Sequence, residues 1–174
     1  MAATVEPIDQ IVLGSDAASV TFSSIPSVFD DLMLLCSLRG TVNGTWGTFS
    51  VQLNNIDTST YNNRRFIGSG SAVTSGADSN VLAMFGVANG ATSTANTFSN
   101  CEFYFPDYKS SVAKTVSTTC AHEDNATLAY TTCWAQIATA VTSAITSIKI
   151  FDRYGGWGNC VAGSSFYLYG ITKA

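Results

Sequence analysis

Charge is the first thing this chain lacks. Asp, Glu, Lys and Arg make up 11% of its 174 residues, less than half the share of an ordinary soluble domain, which is roughly 25%. The net charge is -4 at pH 7. Nucleic acid needs clustered Lys and Arg, and here only Arg64 and Arg65 adjoin, so no nucleic-acid partner is expected. No apolar run reaches the roughly 18 residues of a membrane span, and no membrane association is expected. The opening MAATVEPIDQ carries Glu6 and Asp9 and lacks the basic start and apolar stretch of a secretory signal. Long segments of helical period are missing too. The best helical rival is TTCWAQIATAVTSAI (131–145), whose threonines and missing caps favour a strand.

Hydrophobic residues reach 46%, so the polar surface must be built from Ser, Thr, Asn and Gly. Their pattern has a period of two, broken by turns. SVTF (19–22) alternates, then turns at Pro26. FDDLMLLCSLRG (29–40) places Leu32, Leu34, Cys36 and Leu38 on one face with Met33 and Leu35 on the other, as in a strand covered on both sides. TFSVQLN (48–54) points Phe49, Val51 and Leu53 inward and Thr48, Ser50 and Gln52 outward. NNIDTSTYNN (54–63) is turn chemistry, RRFIG (64–68) a short strand, and GSGSAVTSGADSN (68–80) a long Gly/Ser loop. VLAMFGVA (81–88) is an apolar run. TFSNCEFYFPDY (97–108) is a strand ending at Pro106. KTVSTTCAH (114–122), TLAYTTCWAQIAT (127–139) and AITSIKIFDR (144–153) follow as strands. YGGWGNCVAG (154–163) is a glycine-rich loop before SSFYLYGITKA (164–174). There Phe166 and Leu168 should enter the core from a strand inside a sheet, while Tyr167 and Tyr169 cover the other face. The spacing predicts one all-β domain over 1–174, an antiparallel, jelly-roll-like sandwich, with 1–7 as an extended arm.

The residues of common catalytic sets are scattered. His122 is the only histidine. A metal reading pairs it with Cys120 and Cys133, but zinc sites use compact, paired spacings, and a polar loop after a strand is the simpler reading. The five cysteines are Cys36, Cys101, Cys120, Cys133 and Cys160. They match no zinc or redox spacing, and four sit in apolar or β-branched contexts as reduced, buried side chains. Asp30 and Asp31 point to opposite faces of a strand and cannot act as one glycosidase pair, so they mark its solvated entry. Gly155, Gly156 and Gly158 imitate a phosphate loop without the helix that would follow. Asp57, Asn54 and Asn55 could offer oxygens to calcium, but without an EF-hand pattern. The triplets NGT (43–45) and NAT (125–127) fit glycosylation acceptors that a Ser/Thr-rich chain yields by chance. No cofactor is expected. Trp46, Tyr61, Tyr154 and Trp157 fall in predicted loops, where each either stacks on a ligand or plugs an end of the sandwich.

Four stretches carry a resemblance: GSDAASVTFSSIPSVFDDLMLLCSLRG (14–40), VQLNNIDTSTYNN (51–63), CEFYFPDYKSSVAKT (101–115) and VAGSSFYLYGI (161–171). Together, and in this order, they resemble a family of tailed-phage virion proteins and fibre domains. In that family an IP turn leads to a long central strand, a Pro-Asx-Tyr segment follows a later strand, and the chain closes on a Leu-Tyr-Gly-Ile strand. One departure is NNID, where the family carries an Asn-Gly-Asp turn. The resemblance implies a β-sandwich structural protein without catalysis, displayed on a virion. No heptad shaft is attached, which favours a capsid decoration protein over a fibre tip. Its expected partners are the major capsid protein or other virion proteins, and its own copies as a trimer. The expected location is the capsid surface, with the tail as second choice. Trp46, Tyr61, Tyr154, Trp157, Tyr167 and Tyr169 are the candidate contact residues. The alternative is a tail- or fibre-associated module that binds a surface glycan through Trp46, Tyr154 and Trp157.

Overall fold

A computed structural model describes residues 4–125 and 128–174. The described chain is all strand and turn. The strands are β1 (Thr4–Val12), β2 (Ser19–Phe22), β3 (Asp31–Leu38), β4 (Trp46–Leu53), β5 (Tyr61–Gly68) and β6 (Val73–Val81). They continue as β7 (Met84–Asn89), β8 (Ser99–Phe105), β9 (Lys114–Asp124), β10 (Leu128–Ala138), β11 (Ile148–Phe151) and β12 (Ser165–Thr172). An eight-stranded sheet runs β1-β12-β3-β8-β9-β10-β5-β6, and a four-stranded sheet runs β2-β11-β4-β7. All strand pairs are antiparallel.

The connectivity is a jelly roll with two additions. β1 pairs β12, β2 pairs β11, β3 pairs β8 and β4 pairs β7. These pairs nest inside one another, as when one long hairpin is rolled into two sheets. Two hairpins, β5–β6 and β9–β10, are inserted into that frame and widen only the larger sheet. The expected sandwich is therefore found, with its layers unequal in width.

The core lies between the sheets because the period-two residues converge there. Leu32, Leu34 and Leu38 on β3, Phe49, Val51 and Leu53 on β4, Phe103 and Phe105 on β8, and Phe166 and Leu168 on β12 are all buried. Aromatic rings cover strand glycines: a Cβ at Gly86 would overlap the Phe49 ring, and one at Gly170 would overlap Phe29. This gives the Gly of the closing Leu-Tyr-Gly-Ile segment a steric reason.

β7 ends the smaller sheet, yet its outward edge meets the larger sheet instead of water. The Phe85 N–H donates to Gln136 Oε1 at 2.7 Å, and Gln136 Nε2 donates back to the Phe85 carbonyl at 3.0 Å. The Val87 N–H faces Cys120 Sγ at 3.5 Å, and Cys101 Sγ donates to the Val87 carbonyl at 3.1 Å. The Asn89 N–H donates to Ser99 Oγ at 2.6 Å. Side chains thus do for this edge what a neighbouring strand would otherwise do.

Several expectations are corrected. The Gly/Ser stretch 68–80 is mostly strand: β6 pairs with β5 at the sheet edge, and with its side chains mostly exposed no apolar alternation is required. The N-terminal arm is also strand from Thr4, pairing with β12, and residues 1–3 lie outside the described residues. β5 starts at Tyr61, inside the predicted turn. Ser50 and Gln52 are buried, so β4 is covered on both faces. His122 is not in a loop but inside β9, and it is buried. The strand reading of 131–138 holds against its helical rival.

The last strand sits between β1 and β3, as expected of its sequence. The Asp30 N–H donates to the Ile171 carbonyl, and the Lys173 N–H to Asp30 Oδ2, both at 2.8 Å. Burial of Phe166 and Leu168 stabilises by about 1.5–3 kcal/mol each, so a chain lacking 166–174 should be insoluble or unfolded by circular dichroism. Gln136→Ala strips two partners from Phe85 and should lower the unfolding free energy by roughly 2–4 kcal/mol, read from the urea midpoint.

Candidate functional site

The inner face of the larger sheet is covered, and its outer face is open. Register places Pro7, Tyr169, Met33, Tyr104, Ser117, Ala135, Arg64 and Ala77 side by side across all eight strands. The next row is Gln10, Tyr167, Leu35, Glu102, Thr119, Cys133, Phe66 and Ser75. Each row carries one charge. Seven strand intervals span about 34 Å at the usual spacing. Tyr167 and Tyr169 are half-buried on this face, as predicted, beside a shallow cavity of about 380 Å³ shared with Pro7, Ile8, Asp9 and Gln10. Phe66 is 61% exposed on the same face.

The other predicted aromatics do not form one site. Trp157 is fully buried, 5.4 Å from the Phe49 ring and packed over Gly40. Tyr61 is also fully buried, and its hydroxyl lies 3.2 Å from both the Leu53 N–H and the Ile56 carbonyl. These two plug the sandwich and offer no ring face to a ligand. Trp46 and Tyr154 are 47% and 51% exposed. Trp46 leans on His122 at 5.9 Å, and His122 stacks on Tyr130 at 5.2 Å. Tyr154 meets Phe85 at 5.5 Å, and Phe85 meets Trp134 at 5.8 Å under the Arg65 guanidinium. The two exposed rings are thus each backed by a buried one, at opposite ends of β7.

The metal and nucleophile readings fail on geometry. Cys120 and His122 share the inner face of β9, whereas Cys133 is exposed on the outer face of β10. Among the described residues no group of three His, Cys, Asp or Glu side chains is placed to hold a metal ion. Cys36, Cys101 and Cys120 sit abreast on adjacent strands with buried thiols. Burial pushes the Cys36 and Cys101 thiols well above their usual range, and Cys160 up to about 12. These three stay protonated at neutral pH and act as packing and weak hydrogen-bond groups. Asn54 ties its turn to 144–147 through Ala144, Thr146 and Ser147, and Asp57 pairs with Arg153 at 3.1 Å. Two of the three residues considered for calcium, Asn54 and Asp57, are thus committed to the fold. The second glycosylation triplet lies partly outside the described residues.

Two carboxylates organise the ends of the sandwich. Asp31, expected at a solvated strand entry, is fully buried. It accepts from the Tyr104 hydroxyl, from the Asp107 N–H at 2.8 Å and from Lys173 Nζ at 2.8 Å. Register alone does not reveal this, because the donors arrive from β8, the turn after it and the chain's last residues. Asp152 fills the glycine loop: the N–H groups of Tyr154, Gly156, Trp157 and Gly158 converge on its carboxylate at 2.6–3.1 Å. The loop that resembles a phosphate cradle therefore holds an anion of its own chain.

Comparison with known proteins finds no family model that matches the chain and no curated protein that matches it. The sequence reading did not single out Tyr104, Glu102 or Trp134. Tyr104 had a signal, since it alternates out of phase with Phe103 and Phe105.

Burial opposes the charge of both Asp31 and Asp152, but their donors outweigh it and hold both carboxyls below the ordinary value of 3.8. The unfolded chain then binds protons that the folded chain still refuses. The resulting stability is complete above the ordinary Asp range and is lost as pH falls through the lower folded values. Urea midpoints from about pH 6 to about pH 2 should fall on the acid side of 3.8, and Asp152→Asn should flatten that fall.

Proposed function

We propose that this chain is a non-enzymatic structural protein of a tailed-phage virion, a decoration protein that lies against the assembled capsid and stabilises it. One observation carries the reading. The outer face of the eight-stranded sheet is uncovered, and two complete rows across it hold only Arg64 and Glu102 as charges. A face so poor in charge loses little on desolvation, and its half-buried Tyr167 and Tyr169 supply the ring type that anchors protein contacts. The four ordered stretches that resemble phage virion proteins point the same way. The major capsid protein is the partner of this reading, and a trimer of the chain its presenting form. The mechanism is mass action: a protein that binds only the assembled lattice stabilises that lattice, and repeated copies add their contacts through avidity.

A second reading, a tail- or fibre-borne glycan-binding module, draws on Trp46 and Tyr154. Each is about half exposed and held in orientation by a ring behind it, which suits stacking on sugar.

The test mixes the purified protein with expanded, decoration-free shells, then measures sedimented copies and shell melting. Saturable binding with a raised melting temperature is expected. The double variant Tyr167→Ser, Tyr169→Ser should weaken binding about tenfold, the scale of one interface anchor. Absence of shell binding, together with glycan-array signal lost in Trp46→Ala, would replace the first reading by the second.

A further inference from the structure

A groove of about 590 Å³ opens on the outer face of the larger sheet, within the range of small-ligand sites. It lies where the inserted hairpins meet the jelly-roll frame. Arg64 and Asn62 come from β5, Ala135 and Ile137 from β10, Thr115 and Ser117 from β9, and Tyr104 from β8. Register orders them into two rows. Arg64 and Tyr104 stand at the ends of one, with Ala135 and Ser117 low between them, and Asn62, Ile137 and Thr115 form the other. The walls are fixed. The Tyr104 hydroxyl is held by buried Asp31, and Asn62 Oδ1 accepts the Asn80 N–H at 3.1 Å, which leaves its Nδ2 as a donor.

The charge in this groove is unanswered. The other arginines are committed: Arg39 donates to four loop carbonyls between Ala91 and Thr97, Arg65 pairs with Asp78, and Arg153 pairs with Asp57. Arg64 donates only to the neighbouring Asn63 carbonyl and has no ionic partner among the described residues. A guanidinium so placed selects an anion, and a carboxylate matches its fork.

Three further features set the class of ligand. β9 and β10 are paired on both sides, so a peptide cannot add here as a strand. One free cation is too little for a nucleic-acid strand. The groove's lining is mostly apolar, from Tyr104, Pro106, Ala135 and Ile137, with the hydroxyls of Thr115 and Ser117 and the Asn62 amide among them, which suits a molecule that offers an apolar ring face together with hydroxyls. We infer that the groove between Arg64 and Tyr104 is a binding site for a carboxylated saccharide, its acid on Arg64 and a sugar ring against Tyr104. The groove lies within the outer face that the decoration reading lays against the shell, but the inference rests on the groove's own lining and not on that reading. The groove lies across the larger sheet from Trp46 and Tyr154, so it is also distinct from the aromatic pair of the second reading.

The test titrates the full chain, labelled for amide NMR, with four probes: tetragalacturonate, tetramannuronate, sialyllactose and a heparin-derived tetrasaccharide. Methyl-esterified tetragalacturonate and maltotetraose serve as neutral controls. At least one acidic probe should bind saturably, with shifts centred on Thr115, Ser117 and Ala135. Arg64→Gln should weaken that binding about tenfold or more, the scale of one charge-assisted hydrogen bond. Ser117→Leu, which fills the groove from an exposed position, should abolish it while the spectrum stays folded. Shifts confined to the Trp46 or Tyr154 region, equal binding of the neutral controls, undiminished binding by Ser117→Leu, or no shift with any acidic probe would each overturn the inference. Shell sedimentation of the unaltered chain is measured without saccharide and the saccharide titration without shells, so failure of either reading leaves the other result standing.

Discussion

The structure depends on how the open edge of β7 is satisfied. A jelly roll leaves this strand at the border of its smaller sheet, with alternate N–H and C=O groups facing away from β4. Here those groups meet Gln136, Cys120, Cys101 and Ser99 from the inner face of the larger sheet. An unpaired buried amide costs about as much as a lost hydrogen bond, often 1–3 kcal/mol. Were the four side chains apolar, β7 would have to turn toward water and the two sheets could not close at this flank. The closure also divides the interior. On one side lies the main core, and on the other a small cluster of Phe85, Val87 and Trp134.

Closing the flank in this way lets the larger sheet extend past the smaller one. The hairpins β9–β10 and β5–β6 continue it beyond β8, and Trp134 and Phe85 fill the space beneath them. An extended sheet with one covered face must present the other to something. Surface-facing residues of β9 and β10 such as Ser117, Thr119, Cys133 and Ala135 are small, whereas Tyr104 on β8 and Arg64 and Phe66 on β5 are large. The relief on the outer face follows from that contrast. The breadth of the open face and the groove within it therefore depend on the insertions, which add four strands to the four of the jelly-roll frame.

Much of the fold could be read from alternation, because burial on one face writes a period of two into any strand with a core. Phe49, Val51 and Leu53 announced β4, and Phe166 and Leu168 announced β12. Alternation is absent where its physical cause is absent. β6 pairs on one side only and its side chains are mostly exposed, so Ser, Gly and Asp were tolerated and the segment resembled a loop. β1 has the same one-sided pairing and a shift of register beside Pro7. Asp31 and Trp157 misled for a different reason. A carboxylate at a strand entry and a tryptophan among glycines are solvated in most contexts. Here partners distant in sequence, Lys173 and Asp107 for one and Gly40 and Phe49 for the other, draw them inside. The groove was illegible because its residues come from four strands whose register is not a local property.

Scarcity of charge links these observations. With few ions to spare, the fold uses its buried cations as scaffolding. Arg39 gathers the carbonyls of the loop after β7, and Lys114 Nζ donates to the carbonyls of Ser110 and Val112. Asp152 does the converse for backbone N–H groups in the glycine loop. In each case one charged group replaces several backbone partners that a loop cannot find within itself. The surface is then left to hydroxyls, amides and small apolar groups. Such a surface is weakly hydrated by comparison with one rich in Lys and Glu, and it can be buried over a wide area at low cost. Against that background a single uncommitted guanidinium is unusual, because this protein places its other arginines in contacts that shape the fold.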